Sequence, residues 1–375
     1  MNTTKKRIGI DARMLQEAYS SGIPEYAYYV IKNIILNNPD YTFVLFFNSF
    51  RNVSNIIPKD ILEISEYKIF RIPNKILEWT WRFFPYPKID TILKVDYFFS
   101  PHFYFIPLSK KVKKVLTIHD LSFEKDKRYF SFRKNLWHLQ MNPKVMAKKA
   151  DKIIAVSRAT KNDLIDIYNI DENKIVVIPN AYDFDTKSKD THNNDLDTLR
   201  KWSLETNEYI LFLGTIEPRK NVSMVIDSYL KSKLINKKLV IAGKKGWLYK
   251  KALSVLKEKH PDIVFTDYIT NREKEALFRN CYLFLFPALY EGFGVPVIEA
   301  SSFGKSVVTS SVSSIPEIIN QGALFINPHV TSYYTKALDL LIDTDNIKSL
   351  TPDTTKQDFI QWKEVAQKTL ESIVL

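Results

Sequence analysis

A single cysteine, Cys281, stands in 375 residues. It excludes an intramolecular disulfide framework and suits a reducing cytoplasm. Long apolar runs are missing as well: no stretch reaches the roughly 18–20 residues of a spanning helix. The start, MNTTKKRIGIDAR, passes from a basic tip straight into a strand pattern, with no signal-peptide core. Six histidines are scattered without metal-ligand spacing. Glycine is scarce, with 9 in all. Gly22, in SSGIPEYAYYV, heads a helix pattern with Pro24 in its first turn, and the loop before it could offer N–H groups to a phosphate. That stretch has neither the G-x-G-x-x-G fingerprint nor a Lys-Ser/Thr ending.

What is present is ordinary globular composition, 45% hydrophobic and 26% charged, in a chain long enough for two cores. The net charge is +12, and residues 101–150 hold 12 Lys/Arg against 3 Asp/Glu. Basic residues mixed there with Phe, Tyr and Trp form either a solvated face or a surface for an anionic membrane. Nucleic acid is the weaker reading, since no binding motif accompanies the charge.

Short apolar strands alternate with helical patterns in two similar halves. The first contains KRIGIDARM, YTFVLFF, KVLTIHD, KIIAVS and KIVVIP; the second contains EYILFLG, KLVIAG, IVFTDY, CYLFLFP, SVVTSS and ALFINP. This texture predicts α/β units whose parallel sheets are covered on both faces. The polar stretch TKSKDTHNNDLDT, 186–198, lacks apolar periodicity and reads as a linker or exposed loop. The expected layout is a first domain over 1–185, a linker over 186–205, a second domain over 206–355 and a final amphipathic helix over 356–375. Asp-x-Asp triplets at 183–185, 195–197 and 343–345 follow no central strand and read as solvated surface. Cys281 reads as buried and inert.

Four stretches could carry chemistry. In LYEGFGVPVIEA, Gly292 and Gly294 allow a tight turn and Pro296 suits the first turn of a helix. Glu291 then lies in the loop and Glu299 in the first helical turn, with the amides of Phe293, Gly294 and Val295 free to face an anion. Glu299 could equally be a helix-start carboxylate. In GTIEPRKN, Arg219 and Lys220 follow a strand and the Gly214 turn; they can hold a diphosphate or simply face solvent. In TIHDL, His119 follows a strand, where an imidazole can bind a sugar, move a proton or be a satisfied structural group. The Gly22 loop is the fourth.

Taken in order, these motifs resemble the retaining glycosyltransferases of family 4. ADKIIAVSRATKNDLI, VVIPNAYD, SSVSSIPEII and FIQWKEVAQKTLESI add to the likeness. TIHDLSF, TIEPRKN and YEGFGVPVIEA together most resemble bacterial mannosyltransferases of surface polysaccharide assembly. The resemblance implies the GT-B architecture: two Rossmann-like domains with parallel sheets facing a central cleft. Arg219 and Lys220, beside Gly214, would grip the donor diphosphate, and Glu299 would bind ribose hydroxyls. Glu291 and the amides of Phe293, Gly294 and Val295 would approach the sugar, with His119 opposite. Gly22 would lie near phosphate or acceptor, and the last helix would return to the first domain.

The activity so implied is metal-independent, retaining transfer of a hexose, with mannose from GDP-mannose as first choice. The acceptor would be a glycan or polyprenyl-linked sugar. The donor is a nucleotide-diphosphate sugar, and no metal or other cofactor is expected. Alternatives are a UDP- or dTDP-sugar donor, or a non-catalytic partner in an assembly complex. The expected location is the cytoplasm, with peripheral contact at the anionic inner membrane.

Overall fold

A computed structural model of the chain describes residues 5–17, 22–50, 56–182, 191–234, 237–256, 258–353 and 359–375. It divides into two units. The first holds residues 1–121, 136–181 and 360–375; the second holds 122–135 and 182–359. Among the described residues no helix is long and apolar enough to cross a membrane.

The first unit is built on seven strands: β1 (Arg7–Asp11), β2 (Thr42–Asn48), β3 (Glu66–Phe70), β4 (Tyr97–Ser100), β5 (Lys113–Ile118), β6 (Lys152–Ala155) and β7 (Ile175–Val177). All neighbours are parallel, in the order β3-β2-β1-β4-β5-β6-β7. Because successive side chains alternate between faces, Phe43, Leu45 and Phe47 enter one core while Val44 and Phe46 enter another. The helix Gly22–Asn37 buries Tyr26, Ala27, Val30, Ile31, Ile34 and Ile35, a stripe of helical period. It packs against the helix Trp362–Val374, which buries Trp362, Val365, Leu370 and Ile373 in the same core. Trp362 stacks on Tyr29 with ring centroids 5.1 Å apart. The amphipathic pattern read near the end of the sequence thus marks a helix of the first unit's core.

The second unit has β8 (Tyr209–Leu213), β9 (Lys238–Ala242), β10 (Ile263–Asp267), β11 (Leu283–Phe286), β12 (Val307–Ser310) and β13 (Ala323–Ile326). These too are all parallel, in the order β10-β9-β8-β11-β12-β13. The order reverses between β8 and β11. Chain leaving the carboxyl ends of these two strands therefore diverges to opposite sides and opens a crevice, the usual ligand position in such sheets. A close approach fixes one glycine here. A Cβ on Gly243 would lie 2.2 Å from the carbonyl oxygen of Gly214, so the loops after β8 and β9 can meet only if residue 243 has no side chain.

Three readings of the sequence need correction. Of the stretch 186–198, residues 186–190 lie outside the described residues, and the remainder is no loop: a helix spans Thr191–Lys201. Its Asp195 is buried, taking two hydrogen bonds from Arg279, at 2.9 and 3.0 Å, and one from Asn280 at 3.0 Å. Its buried residues include Asp195 and Thr198 beside Leu199, so polar side chains interrupt the apolar period that would have marked a helix. The triplet at 195–197 is accordingly not wholly solvated. The triplet at 183–185 lies outside the described residues, and Asp343 caps the helix Thr344–Ser349 by accepting from the Asp345 amide.

The basic stretch 101–150 is also not one face, because residues 122–135 belong to the second unit. Trp247 holds them there. Its indole N–H donates to the Tyr129 carbonyl at 2.7 Å, its ring stacks on Phe130 at 5.6 Å, and the Lys134 ammonium sits 3.8 Å from its centroid.

Candidate functional site

At the carboxyl end of β8, the chain makes a short turn, Pro218–Lys220, and Asn221 follows in the left-handed region at φ 58°. The Asn221 side-chain Nδ2 donates to the carbonyls of Pro287 and Pro328, at 3.1 and 2.9 Å. That ties the β8 loop to the chain leaving β11. The Leu289 amide completes the tie by donating to the Arg219 carbonyl at 2.8 Å.

The two loops bring a charged cluster together. Lys220 Nζ lies 2.6 Å from Glu291 Oε1, and Arg219 Nη1 lies 3.2 Å from Glu291 Oε2. Arg219 also donates to the Tyr290 carbonyl at 2.9 Å and to Glu217 at 3.1 Å. Side-chain exposure is 14% or less for all four charged groups. Two cations and two carboxylates balance, so Arg219 and Lys220 are not bare cations waiting for an anion. Any diphosphate must share them with Glu291.

Glu291 is held from behind. Its backbone amide donates to Ser313 Oγ at 2.8 Å, and the single Ser314 hydroxyl proton is shared between the carbonyls of Glu291 and Phe293, at 3.0 and 2.8 Å. Gly294 then turns the chain at φ 101°. A side chain there would be strained, and its Cβ would come within 2.9 Å of the Ile315 and Ile318 Cδ1 atoms. The helix Val295–Ser302 follows, with Pro296 in its first turn. Glu299 falls one residue beyond that first turn and is buried. Its Oε1 accepts from Lys274 Nζ at 2.8 Å. Lys274 projects from the helix Asn271–Asn280, whose start is fixed by a Thr270–Glu273 capping box.

Arg219, Lys220 and Glu291 therefore converge, and Glu299 lies along the same loop-helix segment with a counter-ion of its own. Lys274 and Glu217 escaped the sequence reading. Each pairs with a residue that reading did single out, so an unmatched buried charge was the signal to search for. The hydroxyl of Tyr129, from the segment pinned by Trp247, is pushed above its ordinary pKa by burial, and the Arg219 charge opposes that shift.

His119 and Gly22 belong to the first unit. His119 Nε2 lies 2.8 Å from the Pro101 carbonyl. A carbonyl only accepts, so Nε2 carries the proton and Nδ1 keeps a lone pair. The ring is buried and packs edge-on to Tyr26 at 4.8 Å. Burial pulls its pKa down to about 4, so the imidazole is neutral near pH 7. His102, missed by the sequence reading, follows β4 as His119 follows β5. The two rings lie 5.9 Å apart, and burial also depresses His102. Gly22 begins its helix with nothing within 4 Å of where a Cβ would sit. Packing there does not require glycine, and residues 18–21 of that loop lie outside the described residues. Cys281 is buried, as the sequence suggested, and burial pushes its thiol up to about 12.

The His119 shift makes stability depend on acidity. The unfolded imidazole takes a proton below about pH 6.5, while the folded one resists to about 4. Its contribution is therefore complete above 6.5 and is lost as pH falls through that window. Denaturant unfolding should show His119→Asn sparing about 2 kcal/mol of the loss between pH 7 and pH 5. An identical pH dependence in wild type and variant would contradict the burial of a neutral ring.

A doubly wound parallel sheet with a polar cluster at its switch point belongs to the nucleotide-binding α/β class of folds. Comparison with known proteins narrows the class. The model described as Glycosyltransferase Family 4 matches residues 51–186, and that described as Glycosyl transferases group 1 matches residues 197–356. The chain belongs to the family 4 glycosyltransferases of GT-B fold.

Among its relatives is the serotype-specific mannosyltransferase WbdA of Escherichia coli, 31% identical over 225 residues, 58% of this chain and 28% of the relative. The chain thus spans under a third of the length of the first curated relatives it matches. Another is the O-antigen chain mannosyltransferase B of Escherichia coli, 26% identical over 277 residues, 72% of this chain and 68% of the relative. In fold the chain is similar to Anabaena Alr3699/HepE in complex with UDP and glucose, with a TM-score of 0.70 at 14% identity over 98% of this chain and 99% of that one. It is equally similar to WaaG, a glycosyltransferase involved in lipopolysaccharide biosynthesis, with the same score, identity and coverage.

Proposed function

We propose that this chain transfers a hexose from a nucleotide-diphosphate sugar to a glycan or lipid-linked acceptor in bacterial surface polysaccharide synthesis. Mannose from GDP-mannose is the first choice of donor, with retention of configuration and no metal. The single observation that carries the reading is the Arg219–Glu291–Lys220 cluster at the β8/β11 switch point. The mannosyltransferase names of the relatives support the choice of sugar.

Cleaving a sugar–diphosphate bond builds negative charge on the leaving group. Arg219 and Lys220 neutralise that charge, and the amides at Phe293, Gly294 and Val295 add to them. Glu291 serves first as the cations' resident counter-ion. When the diphosphate takes over Lys220, the Glu291 carboxylate is released toward the sugar, where positive charge develops. Glu299 binds ribose hydroxyls and Lys274 keeps it in place. His119, neutral with a lone pair on Nδ1, accepts a hydrogen bond from a sugar hydroxyl. The protein works in the cytoplasm, in peripheral contact with the inner membrane.

Thermal-shift measurements against GDP-, UDP-, dTDP- and ADP-sugars test the donor. GDP-mannose should raise the melting temperature most, because a ligand that binds only the folded form stabilises it. A larger shift with a UDP- or dTDP-sugar replaces the donor assignment, and no shift with any of them rejects donor binding. Turnover in EDTA should equal turnover without it; a strict need for Mg²⁺ or Mn²⁺ would refute the metal-free chemistry.

A further inference from the structure

A cavity of about 730 Å³ lies wholly within the first unit, in the roughly 300–1,000 Å³ range of small-molecule sites. Its floor is apolar: Phe98, Phe105, Leu108, Val115, Leu116 and Met146. Leu139 and Val145, also lining it, are 75% and 38% exposed, so the hydrocarbon surface runs out to the mouth. Lys88, Lys114 and Lys149 line it as well, and among the described residues no carboxylate does. Pro85 lines the cavity, and its sequence neighbours Phe83, Phe84 and Tyr86 are exposed.

Apolar walls with three lysines and no carboxylate among the described lining residues suit a hydrocarbon chain ending in an anion; the Lys88 ammonium also lies 5.0 Å from the Tyr86 ring centroid. Ser100, Gln140 and Asn142 also line the cavity, a small neutral polar set for the many hydroxyls of a sugar. A free inorganic anion would leave the floor uncovered. We propose that this cavity binds the chain of a phosphate-bearing lipid, with the phosphate held by Lys88, Lys114 and Lys149. Burial of the chain supplies most of the affinity, and the lysines select the charged head as point charges. Nothing in the donor site enters this argument. That the lipid would be the anchor of the acceptor rests on the function proposed above; the binding does not.

The probe is farnesyl phosphate, titrated by calorimetry against the full chain below its aggregation concentration. Saturable binding at one site per chain is expected. Farnesol should bind at least tenfold more weakly, and inorganic phosphate should not bind. Leu139→Asp and Lys149→Glu each change an exposed side chain, so the fold should persist, checked by an unchanged melting temperature. Each should weaken farnesyl phosphate at least tenfold while leaving the GDP-mannose thermal shift as in wild type. Absence of saturable binding, equal affinity for farnesol, or equal affinity in both variants would overturn the proposal. So would sedimentation with phosphatidylglycerol vesicles that farnesyl phosphate does not compete away, which would make this face a bilayer contact. Loss of the GDP-mannose shift with farnesyl phosphate binding intact would count against the donor reading alone and leave the lipid site standing.

Discussion

Arg219→Ala should lower kcat/KM by about a hundredfold or more, the usual cost of losing one preorganised donor to a developing charge, on the order of 3 kcal/mol. It should also weaken the fold. From the sequence alone Arg219 could be a surface cation whose removal is structurally silent, but in the structure its guanidinium bridges Glu217, Glu291 and the Tyr290 carbonyl with little exposure. Removing one member of a buried ion pair leaves uncompensated charge, at a cost of about 3–5 kcal/mol. Arg219→Lys separates the two effects. It restores the charge, and with it much of the stability, yet lacks the planar fork that reaches several acceptors at once. Recovered melting temperature with persistently low kcat/KM is the expected outcome. Wild-type kinetics in Arg219→Ala would reject a role at the diphosphate.

Glu299→Gln should raise the KM for donor between tenfold and a hundredfold and change kcat less. A hydrogen bond to a charged group contributes about 1.5–3 kcal/mol, and the proposed contact, at the ribose, is remote from the bond that breaks. Its partner permits an independent check. Lys274→Met strands the buried Glu299 carboxylate and should destabilise the protein by about 3–5 kcal/mol. Combined with Glu299→Gln, the same change should recover most of that loss, because no buried charge is left unpaired. An unaltered donor KM in Glu299→Gln, measured on folded protein, would dismiss the ribose contact.

The parallel sheets were legible because parallel strands, covered on both faces, read as short apolar runs. EYILFLG and CYLFLFP are such runs, and the residues just after them lie at strand ends by necessity. That placed Arg219, Lys220 and Glu291 near one crevice. Their state was another matter. The hydrogen bonds between Lys220 and Glu291 and between Lys274 and Glu299 span 71 and 25 residues of sequence, and no local pattern reports a partner that far away. The helix Thr191–Lys201 stayed hidden for a related reason, since its buried contact runs through Asp195 and Arg279 instead of an apolar stripe. His102 was available in principle, because SPHFYF sets a histidine after a strand as TIHDL does.

The division of the chain bears on how it is made. The polypeptide passes from one unit to the other after residues 121, 135, 181 and 359. The first unit's core takes Trp362, Val365, Leu370 and Ile373 from the last of these segments. Domains usually fold during synthesis in the order in which they leave the ribosome, the N-terminal one first. Here the N-terminal sheet cannot complete its core until the whole second unit has been translated. At about 5–20 residues per second, the 178 residues from 182 to 359 impose a wait of about 10–35 s. During that time the face of the helix Gly22–Asn37 that later meets Trp362 stays open to chaperones, or to a neighbouring nascent chain.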